Sequence, residues 1–390
     1  WFFPSINEEK DEIFLKLMLD KIKYRGPDKS STFRNSKIAL GHHRLSIIDL
    51  HGGDQPSIDN ETKDCLVFNG EIYGYKKLAT ELKFQGIKLI DDSDTEVLFK
   101  LLINFGVKET LRRVDGMFAF IYFNARENSV YLARDRAGEK PLYFSSCNGY
   151  LLFGSEVKTI TAFPLFKKKL DYSSVADYLQ LDYITSNKTL VNQISKVRPG
   201  EYIKYNDHNF TSHTYWKFNQ ESKKNISEKE TLIHLDDLIN ISVKNRLIAD
   251  VPVGLFLSGG IDSSLISFYS KKNSANIKSF TVQMEGESYD EYQYAKIVAE
   301  HLDIKNYSIL LREKDLLKSL SDIEKKIDEP LNDPSIIPTY LVSKLAKEHV
   351  KVVLSGDGAD ELFSGYSPFK NILVMKLLSF FPKFLGRNLY

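Results

Sequence analysis

Residues 251–264 read Val251-Pro252-Val253-Gly254-Leu255-Phe256-Leu257-Ser258-Gly259-Gly260-Ile261-Asp262-Ser263-Ser264: a short apolar run, a Ser/Gly turn, then a stretch with helical spacing. A strand that leaves its C-terminal end through such a turn marks the place where open α/β sheets bind ligands. Gly259 and Gly260 let the backbone turn tightly and present its N–H groups. Ser263 and Ser264 supply hydroxyl donors, and the N-terminus of the following helix favours anions. The pattern is that of a phosphate site, but not of the GxxxxGK[ST] loop, because it contains no Lys. The alternative is a plain Ser/Gly turn with Asp262 as a helix cap.

Around this loop, from residue 231 onward, helical and strand patterns alternate. Strand-like runs lie at 277–284, 306–311 and 350–354, with helical spacing at 231–248, 294–302, 319–327 and 338–349. Such alternation implies a parallel sheet with helical crossovers. A second Gly-bearing loop, Ser355-Gly356-Asp357-Gly358-Ala359-Asp360-Glu361-Leu362-Phe363-Ser364-Gly365-Tyr366, follows the last of these strands. Carboxylates crowded at Asp357, Asp360 and Glu361 are unfavourable beside phosphates unless a metal or a cationic group sits between them. A solvated acidic turn is the alternative.

The N-terminal half has a different texture. Runs at 37–50, 64–75, 117–125, 129–136 and 150–156 alternate or are apolar between turn residues, as antiparallel strands do, with helical patterns at 75–86 and 95–106. This half reads as α+β. Residues 206–230 are polar and poor in aliphatic side chains, the best candidate for a linker. The expected division is residues 1–208, a linker over 209–228, and residues 229–390.

The 390 residues suffice for two to three domains at roughly 150 residues each. With 53 Lys and Arg against 52 Asp and Glu, the net charge of +1 gives no reason to expect a polyanionic partner. Two cysteines, Cys65 and Cys147, make neither a disulfide framework nor a zinc pattern, so a reducing compartment, the cytosol, is expected. Cys65 reads as a buried core thiol and Cys147 as part of a polar turn. His42, His43 and His51 do not complete a metal site. No run has the length of a spanning helix, since the apolar stretch 372–381 is interrupted by Lys376. The Asn-x-Ser/Thr triplets at Asn187 and Asn225 carry no weight. The chain opens on Trp1-Phe2-Phe3-Pro4 and stops at Tyr390 inside an apolar run, so both ends are expected to be cut.

The string Ser258 to Ser264 resembles the pyrophosphate loop of the ATP pyrophosphatase superfamily, whose members split ATP between the α and β phosphates. Both loops, with Asp328-Glu329-Pro330-Leu331-Asn332-Asp333-Pro334-Ser335 between them, look like the synthetase half of the asparagine synthase family, glutamine-hydrolysing type. In the N-terminal half, Arg25-Gly26-Pro27-Asp28, Gly41-His42-His43-Arg44-Leu45-Ser46-Ile47-Ile48-Asp49, Asn69-Gly70-Glu71-Ile72-Tyr73 and Ser93-Asp94-Thr95-Glu96 resemble class II glutamine amidotransferase motifs. So does Arg134-Asp135-Arg136-Ala137-Gly138-Glu139-Lys140-Pro141-Leu142-Tyr143.

The resemblance implies a four-layer α+β sandwich of the N-terminal-nucleophile type, followed by a Rossmann-like α/β domain with a parallel sheet. Arg44 would grip the glutamine carboxylate, and the backbone of Leu45, Ser46, Ile47 and Ile48 would line the pocket. Asn69 and the Gly70 N–H would form the oxyanion hole, while Glu71 and Asp94 would receive the ammonium group. Singly, these residues have ordinary alternatives: Arg44 as a surface ion pair, Asn69-Gly70 as a hairpin turn, Asp94 as a helix cap. In the second domain, Ser258, Gly259, Gly260, Ser263 and Ser264 would hold pyrophosphate. Leu257 and Val282 would lie on the adenine side, and Ser355 and Gly356 on the ribose or phosphate side. Asp357 would stabilise a β-aspartyl-AMP intermediate, and Asp262 and Asp360 would hold magnesium.

The reaction implied activates aspartate with ATP, then displaces AMP with ammonia from glutamine through an internal passage. Its small-molecule ligands are glutamine, aspartate, ATP and Mg2+, with no nucleic acid and no membrane, and a homodimer is left open. The family's nucleophile is an N-terminal Cys, which no residue here matches, because Trp1 aligns a few positions after it; the family also continues beyond residue 390. The chain alone is therefore expected to bind glutamine poorly, to hydrolyse none and to be inactive as a synthase. The alternatives are a relative that adenylates another carboxylate, such as a β-lactam synthetase-like enzyme or an amidotransferase of surface-polysaccharide synthesis, and a non-catalytic homologue.

Overall fold

The computed structural model describes residues 2, 8–218, 226–285, 290–366 and 369. The chain divides into two compact units. The first comprises Trp1–Thr231, Ile248–Val251 and Leu320–Ile336; the second comprises Leu232–Leu247, Pro252–Ser319 and Ile337–Tyr390.

The first unit is a four-layer sandwich. Its outermost helical layer on one side opens with α1 (Glu8–Asp20), followed by the hairpin of β1 (Lys29–Arg34) and β2 (Ala39–Arg44). A six-stranded sheet is built from β3 (Ser57–Ile58), β4 (Cys65–Tyr73), β5 (Asp115–Asn124), β6 (Ser129–Arg134), β10 (Glu201–Asn206) and β11 (Asn209–Thr214), in the order β11-β10-β6-β5-β4-β3. Helices α2 (Tyr75–Phe84) and α3 (Asp94–Arg113) cover one face of this sheet. Strands β7 (Tyr143–Cys147), β8 (Tyr150–Gly154) and β9 (Ser195–Lys196) form a third sheet, with α4 (Val157–Thr161) and α5 (Tyr172–Leu181) between β8 and β9 in the chain. Phe2 bridges antiparallel to both Ile38 and Leu151, so one residue joins the β1-β2 hairpin to the β8-β7-β9 sheet.

The alternation of side chains along β5 explains the layering. Phe118, Phe120 and Tyr122 pack with Val97, Leu98 and Leu101 of α3, whereas Ala119, Ile121 and Phe123 face Leu40, Leu151 and Phe153 of the opposite sheet. Both faces of β5 are apolar because both are covered. A third apolar cluster, with Leu15, Met18 and Leu19 of α1 against Ala39, Leu152 and Ile160, closes the stack.

The second unit is an α/β domain. Its elements are α6 (Glu228–Arg246, from Leu232 onward), β12 (Val253–Phe256), α7 (Ile261–Asn273), β13 (Lys278–Met284), α8 (Tyr292–His301), β14 (Lys305–Leu311), α9 (Glu313–Glu324, as far as Ser319), α10 (Ile336–Lys347, from Ile337 onward), β15 (Val352–Leu354) and α11 (Ala359–Phe363). The sheet order is β14-β13-β12-β15, all parallel. The chain steps outward from β12 to β13 and β14, then returns to the other side of β12, so the switch point lies between β12 and β15.

Three expectations are corrected. The run 37–50 is a strand only to Arg44, because the Arg44 guanidinium holds the Ile48 and Asp49 carbonyls (3.1 and 2.7 Å) and so shapes residues 45–50 into a loop. The linker does not begin at 209: residues 209–214 form β11, an exposed edge strand closed onto β10 by Asp207 and His208, both with positive φ. An edge strand needs few aliphatic side chains, which is why it reads as a linker. Cys147 is the last residue of β7, and the turn is Asn148-Gly149, again with positive φ. Asn225 and the apolar stretch 372–381 lie outside the described residues. Among the described residues no helix is long and apolar enough to cross a membrane.

Candidate functional site

The first unit encloses a cavity of about 480 Å³ between the two sheets. Period-two alternation sends His42 and Arg44 of β2 into this layer along with core residues Ile38 and Leu40, and sends Asn69 and Glu71 of β4 in with Cys65 and Val67. All four polar residues line the cavity, as do Leu45, Ile47, Ile48, Gly70, Asp94 and Lys140. Ser46 does not: its N–H donates to the Asp28 carboxylate at 2.9 Å.

Beyond β3 one edge of β4 is unpaired, and side chains bond its backbone instead. The Phe68 N–H donates to Gln55 Oε1 at 2.6 Å, and the Ile72 N–H to Asp94 Oδ2 at 2.9 Å. On a strand alternate N–H groups share an edge, so the Gly70 N–H points the same way between these two. A β-carbon at Gly70 would meet the Met117 carbonyl oxygen at 2.0 Å. Asn69 Nδ2 is buried and makes no hydrogen bond among the described residues. A buried unpaired donor is costly unless a ligand satisfies it.

Two of the three ordinary readings of these residues fail. Asn69 and Gly70 sit inside β4, not in a turn. The cap of α3 is Ser93, which accepts from the Glu96 N–H, while Asp94 is buried and its carboxyl is pushed up to about 6, chiefly by burial. Arg44 is only 9% exposed; one of its nitrogens serves the two loop carbonyls and another lies 3.6 Å from the exposed Asp54 carboxylate, so its ion-pair reading holds in part. Sequence reasoning missed Gln55 and Lys140. Lys140 is placed by a segment wound round the buried Asp135 carboxylate, which accepts from the N–H groups of Phe118, Ala137, Glu139 and Lys140 at 2.9–3.2 Å. Burial lowers the Lys140 pKa.

Neither cysteine has the properties of a nucleophile. Cys65 is fully buried with its thiol pushed up to about 12 by burial, and Cys147 packs at the edge of the α1 cluster.

In the second unit a cavity of about 790 Å³ opens at the strand switch point. Leu257, Ser258, Gly260, Asp262, Ser263, Val282, Ser355, Gly356, Asp357 and Asp360 line it; Gly259 and Ser264 do not. Gly259 (φ +87°) instead lies against the start of α8. Gly260 caps α7 with no side-chain hydrogen bond, which leaves the first-turn N–H groups to a ligand. Asp262 is the second residue of the helix and not its cap. The two loops meet at Gly356, where a β-carbon would lie 2.9 Å from the Ser263 nitrogen. Leu257 packs on Ala295 and Ala299, its N–H donates to the Phe280 carbonyl and its carbonyl accepts from the Thr281 hydroxyl. Among the described residues no three His, Cys, Asp or Glu side chains cluster tightly enough to hold a metal unaided. Magnesium characteristically takes one or two carboxylates and completes its shell from phosphate and water, and Asp262 and Asp360, both lining this cavity, are carboxylates of that kind.

The glutamine amidotransferase domain family matches residues 4–216, and the asparagine synthase family matches residues 234–388. Asparagine synthetase [glutamine-hydrolyzing] 1 of Bacillus subtilis is 37% identical over 99% of this chain and 61% of its own length. A putative asparagine synthetase [glutamine-hydrolyzing] 2 of Methanocaldococcus jannaschii is 33% identical over 96% of this chain and 76% of its own length. A putative asparagine synthetase of Mycobacterium tuberculosis is 31% identical over 94% and 59%. The chain thus spans about three-fifths of the Bacillus and Mycobacterium relatives. With both domain families in order along it, the chain belongs to the glutamine-hydrolysing asparagine synthetase family.

Proposed function

We propose that this chain carries the glutamine site and the nucleotide site of a glutamine-dependent asparagine synthetase. In the first cavity, glutamine and water give glutamate and ammonia. In the second, aspartate attacks the α-phosphorus of ATP through its side-chain carboxylate, releasing diphosphate and forming β-aspartyl-AMP. Ammonia then displaces AMP to give asparagine. The observation that carries this reading is the pairing in one chain of two cavities of different chemistry. One has an unpaired amide donor and a free strand edge; the other has an uncapped helix N-terminus beside a carboxylate loop at the strand switch point.

Arg44 holds the α-carboxylate of glutamine, Glu71 and Asp94 its ammonium group, and Asn69 with the Gly70 N–H the oxyanion. Neither Cys65 nor Cys147 attacks. Ser258, Gly260 and Ser263 bind diphosphate, with Gly259 and Ser264 shaping the loop. Ser355 and Gly356 hold the ribose or α-phosphate, Leu257 and Val282 border adenine, and Asp357 lies beside the acyl-adenylate. Asp262 and Asp360 hold magnesium, which offsets phosphate charge when bound. The setting proposed is the cytoplasm, as a homodimer. The test is ATP–diphosphate exchange by the full-length protein with single carboxylic acids: aspartate should drive it, and exchange driven only by another acid would overturn the assignment.

A further inference from the structure

One polar group of the first cavity is left without a task by that reading. His42 projects from β2 into the same layer as Asn69, and its Nδ1 is buried without a hydrogen bond among the described residues. The other side of the ring meets the Phe68 backbone, one residue before Asn69, through a hydrogen bond that favours protonation of the ring and so runs to the carbonyl. Because Nδ1 is the nitrogen without a partner, we infer that the bond is made by the Nε2 proton, which leaves a lone pair on Nδ1. Burial, with the positive charges of Arg44 and His43 also opposing protonation, lowers the pKa of the ring to about 4, so it is neutral near pH 7.

The cavity therefore holds two unsatisfied groups of opposite sense. Asn69 Nδ2 is a donor with no acceptor, and His42 Nδ1 is an acceptor with no donor. A primary carboxamide carries the complementary pair, an oxygen that accepts and an NH2 that donates. A carboxylate has only acceptors and would set an oxygen against the His42 lone pair.

We propose that His42 determines the specificity of this cavity for a primary carboxamide over the corresponding carboxylate, by accepting an N–H of the amide whose oxygen faces Asn69. The inference rests on the glutamine reading of the cavity. It gives the site a means of binding its substrate while releasing its product, because hydrolysis of the amide removes the donor that His42 requires. A site built to pair with a donor rejects the analogue that lacks it more strongly than apolar contacts can.

Binding of glutamine and of glutamate to the full-length protein that carries this chain, measured by titration calorimetry for the parent and two variants, tests this. His42→Phe keeps a ring but removes the acceptor, and His42→Asn keeps an acceptor near the Nδ1 position. The glutamine-to-glutamate affinity ratio should fall roughly tenfold in His42→Phe and largely recover in His42→Asn. An unchanged ratio in His42→Phe overturns the role of His42 while leaving the glutamine site standing. Failure of the parent protein to bind glutamine overturns both. If His42→Phe does not fold, 15N NMR of the parent ring decides: the Nδ1 resonance should move with glutamine and not with glutamate, and equal shifts overturn the proposal.

Discussion

A β-carbon on Gly259 would lie 2.5 Å from the backbone nitrogen of Ala295. The phosphate-type loop after β12 is thus pressed against the first turns of α8 with no room for a side chain, and its φ of +87° is one that L-residues avoid. Gly259→Ala should cost about 1–2 kcal/mol for the backbone alone, with more from the contact. Thermal denaturation of the second unit should shift downward, and ATP binding should be lost because the loop must move away from α8.

Gln55 tests the open edge of β4. It is buried, and its side-chain oxygen is the partner of the Phe68 N–H. Gln55→Leu fills the space but leaves that N–H unsatisfied, a loss of about 1–3 kcal/mol by urea denaturation. Glutamine binding should weaken as well, since Asn69 and Gly70 follow directly in the strand.

On the proposed reading, Asp94 should make glutamine binding depend on pH. Its folded pKa of about 6 lies above the ordinary 3.8, so the folded state holds more protons between those values and stability falls as pH rises across that window. Affinity runs the other way, because only the ionised carboxylate attracts an ammonium group. Binding should weaken by up to roughly tenfold per pH unit below 6, and Asp94→Asn should bind weakly with a flat profile. Calorimetry between pH 5 and pH 8 reads both.

Arg44→Lys removes a planar fork that keeps one nitrogen on the Ile48 and Asp49 carbonyls and turns another to a carboxylate, here Asp54 at 3.6 Å. A lysine cannot span the Ile48 and Asp49 oxygens and still face a carboxylate. Glutamine affinity should fall roughly 10- to 100-fold, and amide exchange should quicken over residues 45–52.

What could be read from the sequence was what depends on neighbours along the chain. The Ser258–Ser264 turn, the alternation in β4 and the double-sided apolar character of β5 are local patterns, and each led to its element. Residues 45–50 misled because their apolar spacing suits a strand, while a guanidinium from Arg44 bends them into a cavity wall. Residues 209–214 misled because an edge strand whose residues are all exposed lacks the composition of a strand. Gln55 carried no signal at all: its importance lies in meeting an edge N–H that only the missing neighbour strand leaves open.

The segment Leu320–Ile336 has a consequence for how this polypeptide can be divided. Far along the chain, it is nonetheless part of the first unit: Asp328 pairs with Lys158 at 3.3 Å, and Glu329 pairs with Lys196 at 2.9 Å and accepts the Leu190 N–H. No single cut separates the units. Ending a gene after α5 and β11 would strip these lysines of their carboxylates, and starting one at α6 would carry an acidic strap away from its seat. Swapping one half for that of a relative should therefore succeed only when residues 320–336 travel with the N-terminal half, so the two halves are tied to a shared history by seventeen residues that domain boundaries drawn from sequence assign to the other side.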